Sequence, residues 1–324
     1  MPTLYISFTD FIYVRLTAVI WINNGLINVN NLPKASADYL TEVYEKIEVK
    51  KPIIIDCKNV SNIIDHSWDQ LFNSIGKNKR NIFFINSTGI EQKIALAYNE
   101  FCKLGKYQKI DHFVSITFLS AFEVNEAVLK SISQKLQENC EGYILSTFCK
   151  HDTGEYRLLS STPFYANGEY TASKLITSRD TFVWLSISFA DFLQSEIEKH
   201  EIGKEKGYPL KFLSVTLRSA PFASALSLLL NYSLQTIEFL GPQRNYLGSK
   251  SPHYNDKYEY LYIGDFSFAG TEIRITQMYA YMNGCKLKHA FVLGSLFLKD
   301  RFSDFILHSL TDLNKNKNAD YKLF

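Results

Sequence analysis

The segment Tyr258 to Phe297 reads YEYLYIGDFSFAGTEIRITQMYAYMNGCKLKHAFVLGSLF. Its four apolar residues Tyr260-Leu261-Tyr262-Ile263 have the continuous hydrophobicity of a strand covered on both faces. Gly264-Asp265 ends that run. A short loop of small, aromatic and hydroxylated residues, Phe266 to Thr271, leads to a predicted helix with apolar positions at Ile273, Ile275, Met278, Tyr279 and Met282. Asn283-Gly284 stops the helix, and His289-Ala290-Phe291-Val292-Leu293 forms a second buried strand. The segment is therefore a β-loop-α-β unit. Free main-chain N–H groups and the helix dipole at such a loop favour a phosphate, and an acid just ahead of it suits sugar hydroxyls or a divalent metal.

This arrangement resembles the signature of type I phosphoribosyltransferases: four apolar residues, two acids, an apolar spacer and a Thr-Thr-Gly-Gly/Ser/Thr turn. Gly264 stands at the first acid and Asp265 matches the second. Phe268 and Ala269 replace the two threonines, while Gly270 and Thr271 fit. The resemblance implies that Asp265 takes the ribose hydroxyls of phosphoribosyl pyrophosphate (PRPP) and its magnesium ion. It also implies that Ser267, Gly270 and Thr271 hold the 5-phosphate.

The resemblance extends over about Tyr156 to Phe297. Leu210 to Leu217 is a predicted strand running into Arg218-Ser219-Ala220-Pro221 and an apolar helix, with Ser219 as N-cap and Pro221 in the first turn. In the family this loop binds pyrophosphate, which implies Arg218 and Ser219 as ligands; Arg218 paired with a neighbouring acid is the other reading. A strand at Gln235 to Leu240 precedes the long polar segment Gly241 to Glu259. The family carries a lid there, which implies Arg244, Lys250 and His253 over the departing pyrophosphate. Ahead of these, Phe182 to Ile197 is a predicted helix capped by Ser178 or Asp180. Tyr143 to Phe148 and Tyr156 to Leu159 read as a hairpin around His151-Asp152-Thr153-Gly154. The stretch from Ser160 to Phe182 is similar to the small base-recognising hood of orotate-type enzymes, matched at Gly168 and Thr171, with Tyr170 and Lys174 either touching the base or solvated. Asp300 to Leu310 is expected to be a helix, and the Asn/Lys-rich tail is expected to fray.

In the first 120 residues strands alternate with helices. Strands are expected at Leu4–Ser7, Phe11–Arg15, Ala18–Ile22, Pro52–Asp56, Asn81–Asn86 and His112–Phe118, and helices over Ala35–Ile47, Ser67–Ile75 and Ile90–Leu104. The segment IIIDCKNVSNIIDHSWDQL resembles the core of a STAS-type domain, the fold of anti-sigma-factor antagonists. Ile64, Asp65 and Ser67 match its Ile-Asp-Ser-Ser-Gly turn, and His66 and Trp68 depart from it. The resemblance implies Ser67 as a regulatory phosphosite at a helix N-terminus and a surface for a protein partner. Asp65 or Ser67 also serves as a plain N-cap, and the sequence leaves both readings open. Trp68, in place of a small glycine, implies a surface used differently.

The fold class expected is thus α/β: a STAS-like mixed sheet with helices over residues 1–120, then a Rossmann-like type I phosphoribosyltransferase domain with a small hood over 121–324. The 324 residues suit two domains, and an apolar content of 46% supplies a substantial core. A net charge of +2 from 35 basic and 33 acidic residues argues against a dedicated nucleic-acid or anionic-membrane binder. Five scattered cysteines without metal-ligand spacing are expected to be reduced thiols, as in a cytoplasmic protein. The start MPTLYISFTDFIYV has no basic n-region and is not expected to be a signal peptide. No apolar run reaches the ~20 residues of a membrane helix.

Two functions follow. One is a phosphoribosyltransferase that uses Mg2+ with PRPP, with Asp265, Lys250 and His253 at the reaction centre. The other is a catalytically degenerate regulatory or bacterial conflict-system protein, acting as a nucleotide sensor or interaction scaffold. Membership of either family implies a homodimer.

Overall fold

The computed structural model describes residues 4–16, 19–22, 25–28, 31–32, 34–46, 51–58, 60–63, 68–110, 113–118, 122–152, 155–159, 164–204, 208–215, 218–237, 255–296 and 305–323. The chain divides into two compact units, Met1–Lys135 and Leu136–Phe324.

The first unit contains β1 (Leu4–Ser7), β2 (Ile12–Arg15), β3 (Val19–Ile22), β4 (Gly25–Asn28), β5 (Asn31–Leu32), α1 (Lys34–Lys46), β6 (Ile53–Asp56) and β7 (Asn62–Ile63). It continues with α2 (Asp69–Asn78), β8 (Ile82–Ile85), α3 (Glu91–Phe101), β9 (Lys106–Ile110) and β10 (Phe113–Thr117), and α4 (Glu126–Leu145) crosses the division. Six strands form a mixed sheet in the order β1-β2-β6-β8-β10-β9. Strands β2, β6 and β8 are mutually parallel, and β1, β10 and β9 run antiparallel to their neighbours. Alternate strand residues Ile53, Ile55, Ile82, Phe84, Val114 and Ile116 meet Leu40, Tyr44, Leu71, Phe72, Ile75 and Ile94 of the helices in one core. Strand pleating sends every second side chain to that face. Trp68 belongs to this core rather than to a surface: it is 3% exposed and stacks on Phe72 and Phe84, each with ring centroids 5.6 Å away. Asp56 closes the buried strand β6. Its carboxylate accepts from Tyr13 Oη at 2.6 Å, Asn86 Nδ2 at 2.8 Å and the Lys58 amide at 3.0 Å.

The second unit begins with small elements: β11 (Phe148–Lys150), β12 (Arg157–Leu158), β13 (Phe164–Ala166), β14 (Gly168–Tyr170) and the one-turn helix α5 (Ser173–Thr177). Then follow α6 (Arg179–Lys199), β15 (Leu210–Ser214), α7 (Ala220–Leu230), β16 (Ser233–Thr236), β17 (Glu259–Ser267), α8 (Thr271–Met282), β18 (Lys286–Ser295), β19 (Ile306–Asp312) and β20 (Tyr321–Leu323). Five strands make an all-parallel sheet in the order β16-β15-β17-β18-β19. The order reverses beside β15, placing β17 at its centre. Ala290 and Val292 of β18 share a core with Ile273 and Ala280 of α8. Phe291, between them, faces α6, with Phe192 at a centroid distance of 6.5 Å. Helices α6 and α7 pack together through Phe182 and Phe222, 5.0 Å apart. Helices thus cover both faces of a parallel sheet, which explains why its strands read as unbroken apolar runs.

Several expectations change. The predicted hairpin is absent: α4 runs on to Leu145, β11 pairs with β14, and β12 pairs with β13. Where a helix was expected to reach Leu310, Ile306–Asp312 is a strand parallel to β18. A short apolar run is ambiguous between helix and strand, and the neighbouring strand decides it. The tail is ordered rather than frayed: Leu313 is fully buried, and Tyr321–Leu323 pairs with β13. Helix α8 buries Ile273, Thr276, Gln277 and Ala280, whereas Met278 and Met282 are 57% and 76% exposed. The described cysteines Cys57, Cys102, Cys140, Cys149 and Cys285 are all free thiols. No helix among the described residues is long and apolar enough to cross a membrane.

Candidate functional site

Strand β17 continues through Ser267, two residues beyond Asp265, so only Phe268 to Gly270 separate it from α8. Gly270 adopts φ +66°, a left-handed conformation that lets the chain turn abruptly into the helix. No side chain caps this N-terminus. Its first-turn amides lie beyond the C-terminal end of the central strand, where open α/β sheets place ligands.

Around this turn, Asp265 is joined by two residues that the sequence did not single out. Glu272 lies in the first turn of α8, and the buried Tyr262 hydroxyl donates to its carboxylate Oε1. Burial pushes the Glu272 carboxyl up to about 7; the charge of Asp265 adds to the rise, while the Tyr262 hydrogen bond and Arg218 oppose it. Asp265 is also raised above the ordinary carboxylate value by burial, against the pull of the Phe266 and Asp265 amides and the Arg218 charge. Tyr262 is pushed well above the usual phenol value by burial and by the Glu272 charge. Position 272 sits one residue past the family-like turn, outside the quoted signature, and only folding brings it back toward Asp265.

Gly264 has a structural reason. A Cβ added there would stand 2.6 Å from Tyr262 Cε1, 3.2 Å from its hydroxyl and 3.2 Å from Val292 Cγ1. The Tyr262 ring occupies the space that a side chain at 264 would need. Glycine at 264 is thus tied to a tyrosine two residues earlier on the same strand face.

Ser267 is 94% buried, being 6% exposed, and its hydroxyl has no hydrogen-bond partner among the described residues. An unpaired buried hydroxyl costs about 1–3 kcal/mol, so its retention at this turn calls for a reason. Phe268 and Ala269 pack against Leu159, Phe164 and Ala166, and the Phe268 ring lies 6.4 Å from that of Tyr321, tying the turn to the small β12-β13-β20 sheet. Phe266 lies against Tyr170 with ring centroids 5.2 Å apart.

The loop after β15 brings Arg218 within electrostatic reach of both Asp265 and Glu272, and Arg218 is exposed. Ser219 occupies the N-cap position of α7 and Pro221 its first turn, but its side chain makes no cap bond. The Ser219 hydroxyl is buried and shares a 2.8 Å hydrogen bond with Ser214 Oγ. Thr271 opens α8 and is half-buried. Tyr170 is buried, in contrast to a solvated loop residue: its ring touches Phe148, Phe266 and Phe268, and its hydroxyl accepts from Asn316 Nδ2 at 3.0 Å. Lys174 is exposed on α5. Arg244, Lys250, His253 and Ser67 lie outside the described residues.

No family model matches the sequence, and no curated protein matches it. Solved structures similar to the chain include orotate phosphoribosyltransferase from Aeropyrum pernix, at 17% identity and TM-score 0.38, covering 56% of this chain and 96% of that one. Adenine phosphoribosyltransferase from Leishmania donovani is similar at 10% identity and TM-score 0.38, over 56% of this chain and 81% of that one. UMP synthase from Leishmania donovani is similar at 11% identity and TM-score 0.39, over 87% and 74%. Likenesses at TM-scores this low do not bear on function. The fold class itself, mixed α/β with a parallel sheet, stands on the strand pairing above.

Proposed function

We propose that the C-terminal unit binds a 5-phosphorylated ribose, either PRPP or a nucleotide, at the turn between β17 and α8. The observation that carries this reading is the conjunction near one turn of an acid two residues before the end of the central strand, a left-handed glycine before an uncapped helix, and a buried serine hydroxyl with no partner among the described residues. The Ser267 hydroxyl, Gly270 and Thr271 suit the phosphate, since helix N-termini supply both N–H donors and a favourable dipole. Asp265 suits the vicinal ribose hydroxyls as a paired acceptor. Arg218 suits a pyrophosphate, to which a guanidinium donates in bidentate fashion.

The donor set also fits a magnesium ion accompanying PRPP. Two carboxyl groups held above their usual values by burial, with the charge of Asp265 adding to the rise at Glu272, gain from a divalent cation beside them. Asp265 would hold that ion, with Glu272 next to it. When bound, magnesium neutralises charge on the pyrophosphate. The chain's own residues would position the ribose and shield its C1 from water, and Arg218 would stabilise the negative charge of pyrophosphate.

A second reading, binding without turnover, is favoured by Tyr262. Its phenol fills the space of the first acid, removing one ribose contact while leaving the phosphate turn intact. In that reading the protein is a nucleotide sensor or scaffold, with the first unit as a STAS-like partner-binding domain. The mixed sheet of that unit, with helices packed on one face, is compatible with such a role.

Calorimetric titration of PRPP with magnesium into the wild type and into Asp265→Asn tests the site. Binding that is lost in the variant supports it, and no binding of PRPP or nucleotides to the wild type refutes it. Pyrophosphate release across a panel of nucleobases then separates turnover from sensing.

A further inference from the structure

Away from this turn, the C-terminal end of α6 and the strands β18 and β19 bring together four side chains with metal-binding chemistry. Glu196 in the last turn of α6 and His200, the C-cap residue that follows it, lie four residues apart. His308 reaches them from β19. Its Nδ1 is 2.8 Å from Glu196 Oε2, and His200 Nε2 is 3.3 Å from the same oxygen. One ligand atom from each of the three residues falls within 4.8 Å of the others. Behind them, His289 Nδ1 lies 3.1 Å from His308 Nε2.

We propose that Glu196, His200 and His308 form a binding site for a divalent transition-metal ion of the zinc type. Ligands at ~2.0–2.1 Å in tetrahedral array stand roughly 3.3 Å apart, close to the 2.8 and 3.3 Å that separate Glu196 Oε2 from the two imidazole nitrogens. Two imidazoles and one carboxylate are the donor set of zinc, nickel or cobalt rather than of magnesium or calcium. Three protein ligands leave a fourth position for water.

The site is organised beyond its ligands. His308 is 2% exposed, and its ring stacks on Phe291 at 4.5 Å and 11°. Lys199 holds the other Glu196 oxygen at 3.1 Å, leaving Oε2 to face both imidazoles. A carboxylate only accepts, so without metal His308 presents its Nδ1 hydrogen to Glu196. A cation replaces that hydrogen, and His308 then carries its hydrogen on Nε2, directed at His289 Nδ1. Such an outer hydrogen bond fixes the tautomer of a ligating histidine, so His289 is a positioning residue.

The site is separate from the phosphate turn. His289 is in register with Leu261, four residues before Asp265 on β17, or roughly 13 Å along a strand. Bound metal would clip the edge strand β19 to the last turn of α6. The proposal is independent of the ligand reading for Asp265, and the two can fail separately.

Untagged full-length protein, stripped with a chelator, is titrated with Zn2+ by calorimetry and by thermal melting; Co2+ provides a visible spectrum sensitive to tetrahedral geometry. One Zn2+ per chain is expected, with a melting temperature that rises with Zn2+ concentration. His200 is about one-third exposed at its side chain (33%), so His200→Ala should melt like the wild type without metal and lose the Zn2+-dependent rise. Glu196→Gln is the second ligand variant, should His200→Ala fold poorly. His289→Gln should weaken Zn2+ about 10–100-fold while preserving one-to-one binding. The proposal is overturned if the wild type shows no Zn2+ dependence, or if His200→Ala and Glu196→Gln bind with unchanged affinity.

Discussion

Replacing Gly264 by alanine adds one methyl group where the structure has no room. The new Cβ would stand 2.6 Å from Tyr262 Cε1, well inside contact distance. The ring cannot simply swing aside, because Tyr262 is 3% exposed and its hydroxyl is committed to Glu272. Val292 Cγ1, at 3.2 Å, closes the opposite side. Overpacking of this kind costs about 1–3 kcal/mol. For a unit of this size, a loss of about 2 kcal/mol lowers the melting temperature by roughly 4–8 °C. Tyr262→Val removes the obstructing ring at its own cost, through lost ring burial and the lost hydrogen bond to Glu272. Added to Tyr262→Val, Gly264→Ala should then cost almost nothing, so the two substitutions should show a coupling of about 1 kcal/mol or more. Thermal and urea melts of the four proteins in the cycle provide the measurement. A Gly264→Ala protein as stable as the wild type, or strictly additive substitutions, would refute the view that the Tyr262 ring leaves no room for a side chain at 264.

Four further outcomes follow from the same geometry. Ser267→Ala should leave stability unchanged or slightly raised, because the hydroxyl has no partner to lose, while PRPP or nucleotide affinity falls about tenfold; calorimetry beside a melt separates the effects. Glu272 binds its proton more tightly in the folded protein than in the unfolded chain, with its pKa raised from 4.5 to about 7. Its contribution to stability therefore falls as pH rises through that window, and Glu272→Gln should flatten that part of a stability–pH profile. Trp68→Ala should cost about 3–5 kcal/mol by emptying the stack on Phe72 and Phe84, and Trp68→Phe distinctly less, as read by denaturation. Replacing Met278 and Met282 together by glutamine should change stability by no more than about 0.5 kcal/mol, since both side chains are exposed.

Much of the architecture was legible in the chain because buried parallel strands require consecutive apolar residues. Tyr260–Ile263 and His289–Leu293 announced β17 and β18, and Ser178 marked the start of α6, where its hydroxyl accepts from the Thr181 amide at 3.4 Å. Asp265 and Gly270 were visible as an acid and a turn residue in sequence order. Local patterns misled wherever the partner was remote. Nothing near Ile306 distinguishes a strand from a helix until β18 offers a parallel edge, and the tail is held by β13, far earlier in the chain.

Residue order alone determined a β-turn-α-β unit with an acid ahead of a tight turn, because those features depend on neighbours along the backbone. Only the tertiary structure decided that Tyr262 occupies the space beside Gly264, that Glu272 joins Asp265, and that His308 meets both His289, nineteen residues earlier, and Glu196 on α6. Space-filling and charge pairing are properties of side chains brought together across the sheet. No window of sequence contains both partners in a form that periodicity can reveal.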